Sequence, residues 1–187
     1  MSNWRYIPNL ITAIRLATVP LLVWWLYDGQ FNNALSLFIL MGLSDALDGY
    51  LAKYFGWKTA LGAYLDPAAD KTMLIGAYIT LGALHLLPHW LVFIVILRDV
   101  AILAGALAYN FATRRLEIQP TLISKSNTFV QIILVLAVIY GQLNPVPDLL
   151  VQTLIGIAVF TTVASGLDYL MEERSKRVSS RHPGKQV

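Results

Sequence analysis

The sequence predicts an all-α, polytopic integral membrane protein with six transmembrane helices in one bundle. Three observations predict it. The 187-residue chain is 57% hydrophobic and only 13% charged. A soluble domain carries about 25% charged residues, so this chain has too little polar surface to coat a water-soluble globule. Six stretches are mostly apolar and roughly 20 residues long, enough to cross about 30 Å of hydrocarbon at 1.5 Å per residue. The Lys and Arg residues outside those stretches collect in alternate gaps, as a chain threaded back and forth through a bilayer requires. Together these exclude an ordinary soluble enzyme, a disordered protein and a disulfide scaffold. The absence of Cys also excludes a thiolate metal site or a redox pair.

The expected spans are 8–27, 33–55, 61–84, 90–111, 124–141 and 148–169. Turn-forming residues separate them: Asp28-Gly29, then Gly56, Pro88, Pro120 and the run Asn144-Pro145-Val146-Pro147. The runs are continuous rather than ten-residue alternations, which argues against a β-barrel. No cleaved signal peptide is expected, because Arg15 interrupts the first apolar stretch and no small-residue cleavage site follows Tyr27. Residues 1–170 form the membrane domain in this reading, and 171–187 a basic cytoplasmic tail.

Orientation follows from the basic residues. The gaps at 28–33, 84–90 and 141–148 hold no Lys or Arg, while the opposite side collects Arg5, Lys53, Lys58, Arg114, Arg115, Arg174, Lys176, Arg177, Arg181 and Lys185. Both termini therefore face the cytoplasm or its topological equivalent, a bacterial inner membrane being the expected location. The formal charge of +3 comes mainly from this face. Charges beside membrane spans meet anionic lipid headgroups, so nucleic acid is not an expected partner.

Four carboxylates stand where hydrocarbon penalises them. Asp45 and Asp48 are three apart in the second span, and Asp66 and Asp70 four apart in the third. Each pair shares a helical face, and both lie toward the ends marked by Lys53 and Lys58. Such a cluster stays ionised only beside compensating positive charge. Interhelical hydrogen bonds or salt bridges are the plain structural reading. Two hard divalent cations, Mg2+ or Mn2+, match a tight set of carboxylate oxygens better than flexible ammonium groups do. A two-metal site suits phosphoryl transfer. Gly49, Ala52 and Gly62 keep the neighbouring faces slim enough for a ligand or another helix to approach.

Residues 45–70, DALDGYLAKYFGWKTALGAYLDPAAD, resemble the signature of the CDP-alcohol phosphotransferase family, D-x2-D-G-x2-A-R-x8-G-x3-D-x3-D. Asp45, Asp48, Gly49, Ala52, Gly62, Asp66 and Asp70 fall on their places. Lys53 stands where the family usually has Arg, and Lys lacks Arg's bidentate fork to a phosphate. The resemblance implies that the four Asp residues hold two divalent metals and that Asp70 is also the base activating an acceptor hydroxyl. It implies that Gly49, Ala52, Lys53, Thr59 and Gly62 line the cytidine diphosphate site. The opening Ile7-Pro8-Asn9-Leu10-Ile11-Thr12 looks like the start of members that make phosphatidylglycerophosphate or cardiolipin, which implies Asn9 and Thr12 near the nucleotide. Arg15 would meet a lipid phosphate or simply snorkel at a helix end.

Two further polar groups bear on the acceptor. Arg98-Asp99 lies inside the fourth span, where the residues can pair with each other. Pro120-Thr121-Leu122-Ile123-Ser124-Lys125-Ser126-Asn127-Thr128 opens the fifth, which also reads as an ordinary interfacial helix start. As a pattern running to Gln131 they resemble the eukaryotic-type cardiolipin synthases within the family. That resemblance covers most of residues 7–135. It implies CDP-diacylglycerol as donor, phosphatidylglycerol as acceptor, cardiolipin and CMP as products, and a homodimer. Arg98 and Lys125 would then clamp the acceptor phosphate, with Arg15 at the interface and Ser124, Asn127 and Thr128 as hydrogen-bond partners. Three alternatives stay open: glycerol 3-phosphate as acceptor, a cation transporter using the Asp cluster as an ion path, and a purely structural membrane protein. His85 and His89 sit on the far side and read as interfacial.

Overall fold

A computed structural model of the chain describes the backbone of residues 7–54, 62–113 and 122–181, and the side chains of 10–45, 47, 71–104 and 122–168. Among the described residues every regular element is an α-helix. The helices are α1 (Ile7–Tyr27), α2 (Phe31–Tyr54), α3 (Gly62–Ala83), α4 (His89–Thr113), α5 (Leu122–Gly141) and α6 (Asp148–Arg181). The first five follow the expected spans to within a few residues. The sixth helix runs on through position 170, where the tail was drawn. Glu172/Lys176 and Glu173/Arg177 stand at the i, i+4 spacing that supports a helix in water.

Three stretches among the described residues are long and apolar enough to cross a membrane: Leu10–Tyr27, Leu122–Gly141 and Asp148–Asp168. The turn between α1 and α2 is three residues long and closes as a Schellman cap. Gln30 N–H donates to the Trp25 carbonyl at 2.8 Å and Gly29 N–H to the Leu26 carbonyl at 3.2 Å. Gly29 adopts φ 75°, the left-handed conformation the cap requires.

The helices pack as α1 on α2 and α3, α5 on α6 and α2, α4 on α6 and α3, and α3 on α5. Their buried positions recur at three- and four-residue spacing: Thr12, Arg15, Val19, Leu22 and Leu26 on α1; Ala34, Phe38 and Met41 on α2; Leu91, Val95 and Arg98 on α4; Ala158, Thr162 and Ser165 on α6. Glycines set two of the close approaches. A Cβ at Gly76 would come within 3.2 Å of Val19 Cγ1 on α1, and one at Gly82 within 2.9 Å of Val92 Cγ2 on α4. Valine is stiff at χ1, so the second contact has little room to give.

The interior is a largely apolar core that also holds charged and amide side chains, while large apolar side chains cover the outside. Arg15, Arg98, Asp99, Asn127 and Gln131 are buried, whereas Leu10, Trp24, Leu40, Leu47, Phe93, Leu97, Phe129 and Phe160 are each more than half exposed. That arrangement is stable where the surrounding medium is hydrocarbon and the interior must satisfy the polar groups.

Candidate active site

The antiparallel helices bring their polar residues to one level. The turns at 28–30, 84–88 and 142–147 mark one end of the bundle. Counted from that end of its own helix, Arg15 lies 12 residues in, Asp45 14, Lys71 12, Asp99 10, Asn127 14 and Thr162 14. At 1.5 Å per residue this is a layer roughly 15–21 Å from those turns. By the same count Asp70 lies 13 residues in, and Asp48 and Asp66 both 17. The helical register thus puts all four aspartates at or just beyond this layer.

Asp45 has a described side chain. It is part exposed, at 37%, and pairs with Arg15, whose side chain is 1% exposed. Arg15 Nη1 donates to Asp45 Oδ1, tying α1 to α2. Thr18 Oγ1 donates back to the Arg15 carbonyl at 2.8 Å, and Thr12, one turn earlier, is buried at 1%. Arg15 is therefore neither at the lipid boundary nor snorkelling; it is an interior cation beside the acidic group. The side chains of Asn9, Asp48, Gly49, Ala52, Lys53, Gly62, Asp66 and Asp70, and Thr59 altogether, lie outside the described residues. Among the described residues no three metal-ligating side chains meet.

A second polar centre joins α3, α4, α5 and α6. Arg98 Nη1 donates to Asp99 Oδ1 at 2.7 Å, and Lys71 Nζ reaches the same oxygen at 2.8 Å. Arg98 Nη2 donates to Ser124 Oγ at 2.9 Å and to Ser165 Oγ on α6. The salt bridge foreseen for Arg98 and Asp99 is present, and it brings Arg98 onto Ser124 as well. One helical turn further along α5, Asn127 Oδ1 accepts from Thr161 Oγ1 at 2.8 Å and Thr162 Oγ1 at 2.9 Å. Thr128 is half-buried and donates to the Ser124 carbonyl at 3.2 Å. Lys125 is exposed, one position from Ser124. So Arg98 meets half-buried Ser124, Asn127 is buried one turn away against two α6 hydroxyls, and Lys125 is exposed.

Sequence reasoning missed Ser165, Thr161 and Thr162 as partners of this centre. Their signal was present: three hydroxyls within five residues of the otherwise apolar stretch 154–167, two of them four apart. Lys71, which follows Asp70 directly and reads from the sequence only as a cation near the acidic cluster, pairs instead with Asp99 and is 22% exposed.

Carboxylates such as those on α2 and α3 are the hard oxygen donors that a magnesium-like ion takes, and Asp45, the one with a described side chain, is part exposed. The donor set fits divalent cations. The CDP-alcohol phosphatidyltransferase pattern matches residues 5–164 of this chain, which includes the whole acidic signature and every named member of the two polar centres except Ser165. The chain belongs to the CDP-alcohol phosphatidyltransferase family. It is 38% identical to the CMP-forming cardiolipin synthase of Rattus norvegicus and 36% identical to that of Homo sapiens, each over 87% of this chain and 60% of the relative. It is 30% identical to a chloroplastic CDP-diacylglycerol–glycerol-3-phosphate 3-phosphatidyltransferase of Oryza sativa subsp. japonica, over 91% of this chain and 58% of that one. The chain thus spans about 60% of the length of the two synthases it resembles.

Proposed function

We propose that this protein is a CMP-forming cardiolipin synthase. It transfers the phosphatidyl group of CDP-diacylglycerol to the free primary hydroxyl of phosphatidylglycerol. The observation that carries the reading is the 38% and 36% identity to two CMP-forming cardiolipin synthases across 87% of the chain. The buried cationic centre supports it, because an acceptor that is itself a phosphodiester needs cations beside the reacting site.

In this reading Asp45, Asp48, Asp66 and Asp70 hold two divalent cations, Mg2+ or Mn2+. Bound there, such ions would supply charge neutralisation for the donor diphosphate and the departing CMP. Asp70 also takes the proton of the acceptor hydroxyl. A new oxygen–phosphorus bond forms to the diacylglycerol phosphate, the bond to the CMP oxygen breaks, and the proton passes from Asp70 to solvent or product. Asn9, Thr12, Gly49, Ala52, Lys53, Thr59 and Gly62 bind the CDP-lipid. Arg98, Ser124, Asn127 and Thr128 orient the acceptor inside the bundle, and Lys125 meets it at the interface. Arg15 holds Asp45 from the α1 side rather than touching the acceptor.

The reading includes a six-span homodimeric bundle with site and termini on the Lys- and Arg-rich side. Exposed apolar rows on α2 (Ile39, Leu40, Leu43, Leu47) and α4 (Trp90, Phe93, Leu97, Val100) support lipid contact for helices beyond the three most apolar ones. The second reading is glycerol 3-phosphate as acceptor, favoured by the identity to the rice enzyme.

The test supplies the purified protein with CDP-diacylglycerol and either phosphatidylglycerol or glycerol 3-phosphate, with and without Mg2+, and identifies the lipid formed. Cardiolipin and CMP, dependent on the metal, are expected. Phosphatidylglycerophosphate as the sole product selects the second reading. Asp70→Asn abolishes CMP release while the protein keeps its helical content and unfolding midpoint; retained turnover removes Asp70 as the base.

A further inference from the structure

Two cationic heads share one carboxylate in the second polar centre. Arg98 hydrogen-bonds Asp99 Oδ1, Lys71 Nζ lies 2.8 Å from the same oxygen as an ion pair without a hydrogen bond among the described residues, and the side chains of Arg98 and Asp99 are 6% and 1% exposed. Neither cation meets a second carboxylate among the described residues. Counted over the described side chains, Arg98, Lys71 and Asp99 carry one surplus positive charge, and a largely buried surplus charge is costly until an anion joins it.

The guanidinium is held from three helices. Its own helix supplies Asp99, α5 supplies Ser124 and α6 supplies Ser165. Arg98 Nε is buried and has no hydrogen-bond partner among the described residues, and the same is true of Asp99 Oδ2. Arg98 thus keeps an unused donor after three contacts have fixed its plane. Ser165 is 2% exposed, and its hydroxyl faces Arg98 rather than water. Lys71 follows Asp70 in α3, so the cationic centre begins one residue from the proposed base.

We propose that Ser165 is a positioning residue. Together with Asp99 it sets the Arg98 guanidinium so that Arg98 and Lys71 jointly take one phosphate anion, that of the acceptor. Lys71 then fixes the distance between that phosphate and the hydroxyl presented to Asp70. The inference rests on the phosphatidyl-transfer reading and adds Ser165, Asp99 and Lys71 to it.

The experiment measures KM for each substrate, kcat and the Mg2+ half-saturation point for the wild type, Ser165→Ala and Ser165→Thr in mixed micelles. Ser165→Ala is expected to raise KM for phosphatidylglycerol about tenfold, the size of one hydrogen bond to a charged group. KM for CDP-diacylglycerol and the Mg2+ dependence are expected to stay within about twofold. Ser165→Thr keeps the hydroxyl and is expected to stay near the wild type. If Ser165→Ala does not fold, Arg98→Lys answers the same question, because Lys keeps the charge but cannot bridge to both serines; the same selective rise is expected.

An unchanged acceptor KM, or an equal rise in both lipid KM values, overturns the inference. A wild type that makes cardiolipin separates that outcome from failure of the parent reading. If the wild type uses only glycerol 3-phosphate, the acceptor assignment falls, and the positioning role is judged on the KM for that phosphate instead. A wild type that turns over neither acceptor overturns both.

Discussion

Arg15 illustrates what a buried charge does in this fold. Its guanidinium is withdrawn from every solvent and is held by a carboxylate on the neighbouring helix. Removing one partner of a fully buried pair costs about 3–5 kcal/mol. Asp45 retains 37% of its side-chain exposure, so the abandoned carboxylate is partly resolvated and the loss is smaller. Arg15→Ala is expected to lower stability by about 1–3 kcal/mol, read as a lower unfolding midpoint in detergent, with Arg15→Lys falling between the two. An unchanged midpoint would show that the ion pair contributes nothing to holding α1 on α2. Gln131 presents the opposite case. It is 0% exposed, and neither its Oε1 nor its Nε2 has a hydrogen-bond partner among the described residues. A buried amide left unpaired costs about 1–3 kcal/mol, and Leu has similar volume. Gln131→Leu is expected to raise the unfolding midpoint. A fall instead would mean that the amide is bonded in the native protein to water or a ligand.

At the scale of the element, the end of α3 uses an unusual cap. His85 N–H donates to the Gly82 carbonyl at 3.0 Å and Leu86 N–H to the Leu81 carbonyl at 2.9 Å, the same pair of bonds that Gly29 completes after α1. Here the left-handed position is filled by His85 at φ 58°. An L-residue with a Cβ adopts that conformation at a cost of about 1–2 kcal/mol, which glycine avoids. His85 is exposed and its ring meets the His89 ring edge-on at a centroid distance of 5.1 Å, a contact that offsets part of the strain. His85→Gly is therefore expected to stabilise the protein by about 0.5–1 kcal/mol, visible as a higher unfolding midpoint. A drop would show that the imidazole pair outweighs the backbone strain. The helices themselves were legible because an apolar run of about 20 residues admits few other structures in a bilayer. Their inward faces were not. In water the apolar side of a helix marks the core, but in lipid both sides are apolar and burial follows small and polar residues. On α6 the buried residues Ala158, Thr162 and Ser165 contrast with exposed Phe160, Val163 and Leu167. A hydrophobicity argument would choose the wrong side.

For the whole molecule, the same logic decides how much of the site could be read in advance. The acidic signature was legible because carboxylates in an apolar span stand out and their three- and four-residue spacing assigns them to faces. The partners that converge on Arg98 were not, because Ser165 lies 67 positions away and its hydroxyl is chemically unremarkable until two helices bring it to the guanidinium. The level shared by the polar residues also constrains orientation. If the bundle spans the membrane six times, the turns holding Gly29, His85 and Asn144 must all emerge on the face opposite Lys58 and Arg114. The chain contains no Cys, so single cysteines can be introduced without altering any native thiol. Asn33→Cys and Asn144→Cys are expected to react with a membrane-impermeant maleimide from one side of intact vesicles. Lys58→Cys and Lys185→Cys should react only from the other, since positive residues are retained on the non-translocated face. Labelling of Asn144→Cys and Lys185→Cys from the same side would leave α6 uncrossed, and a site ringed by lipid on all six helices could not then be correct.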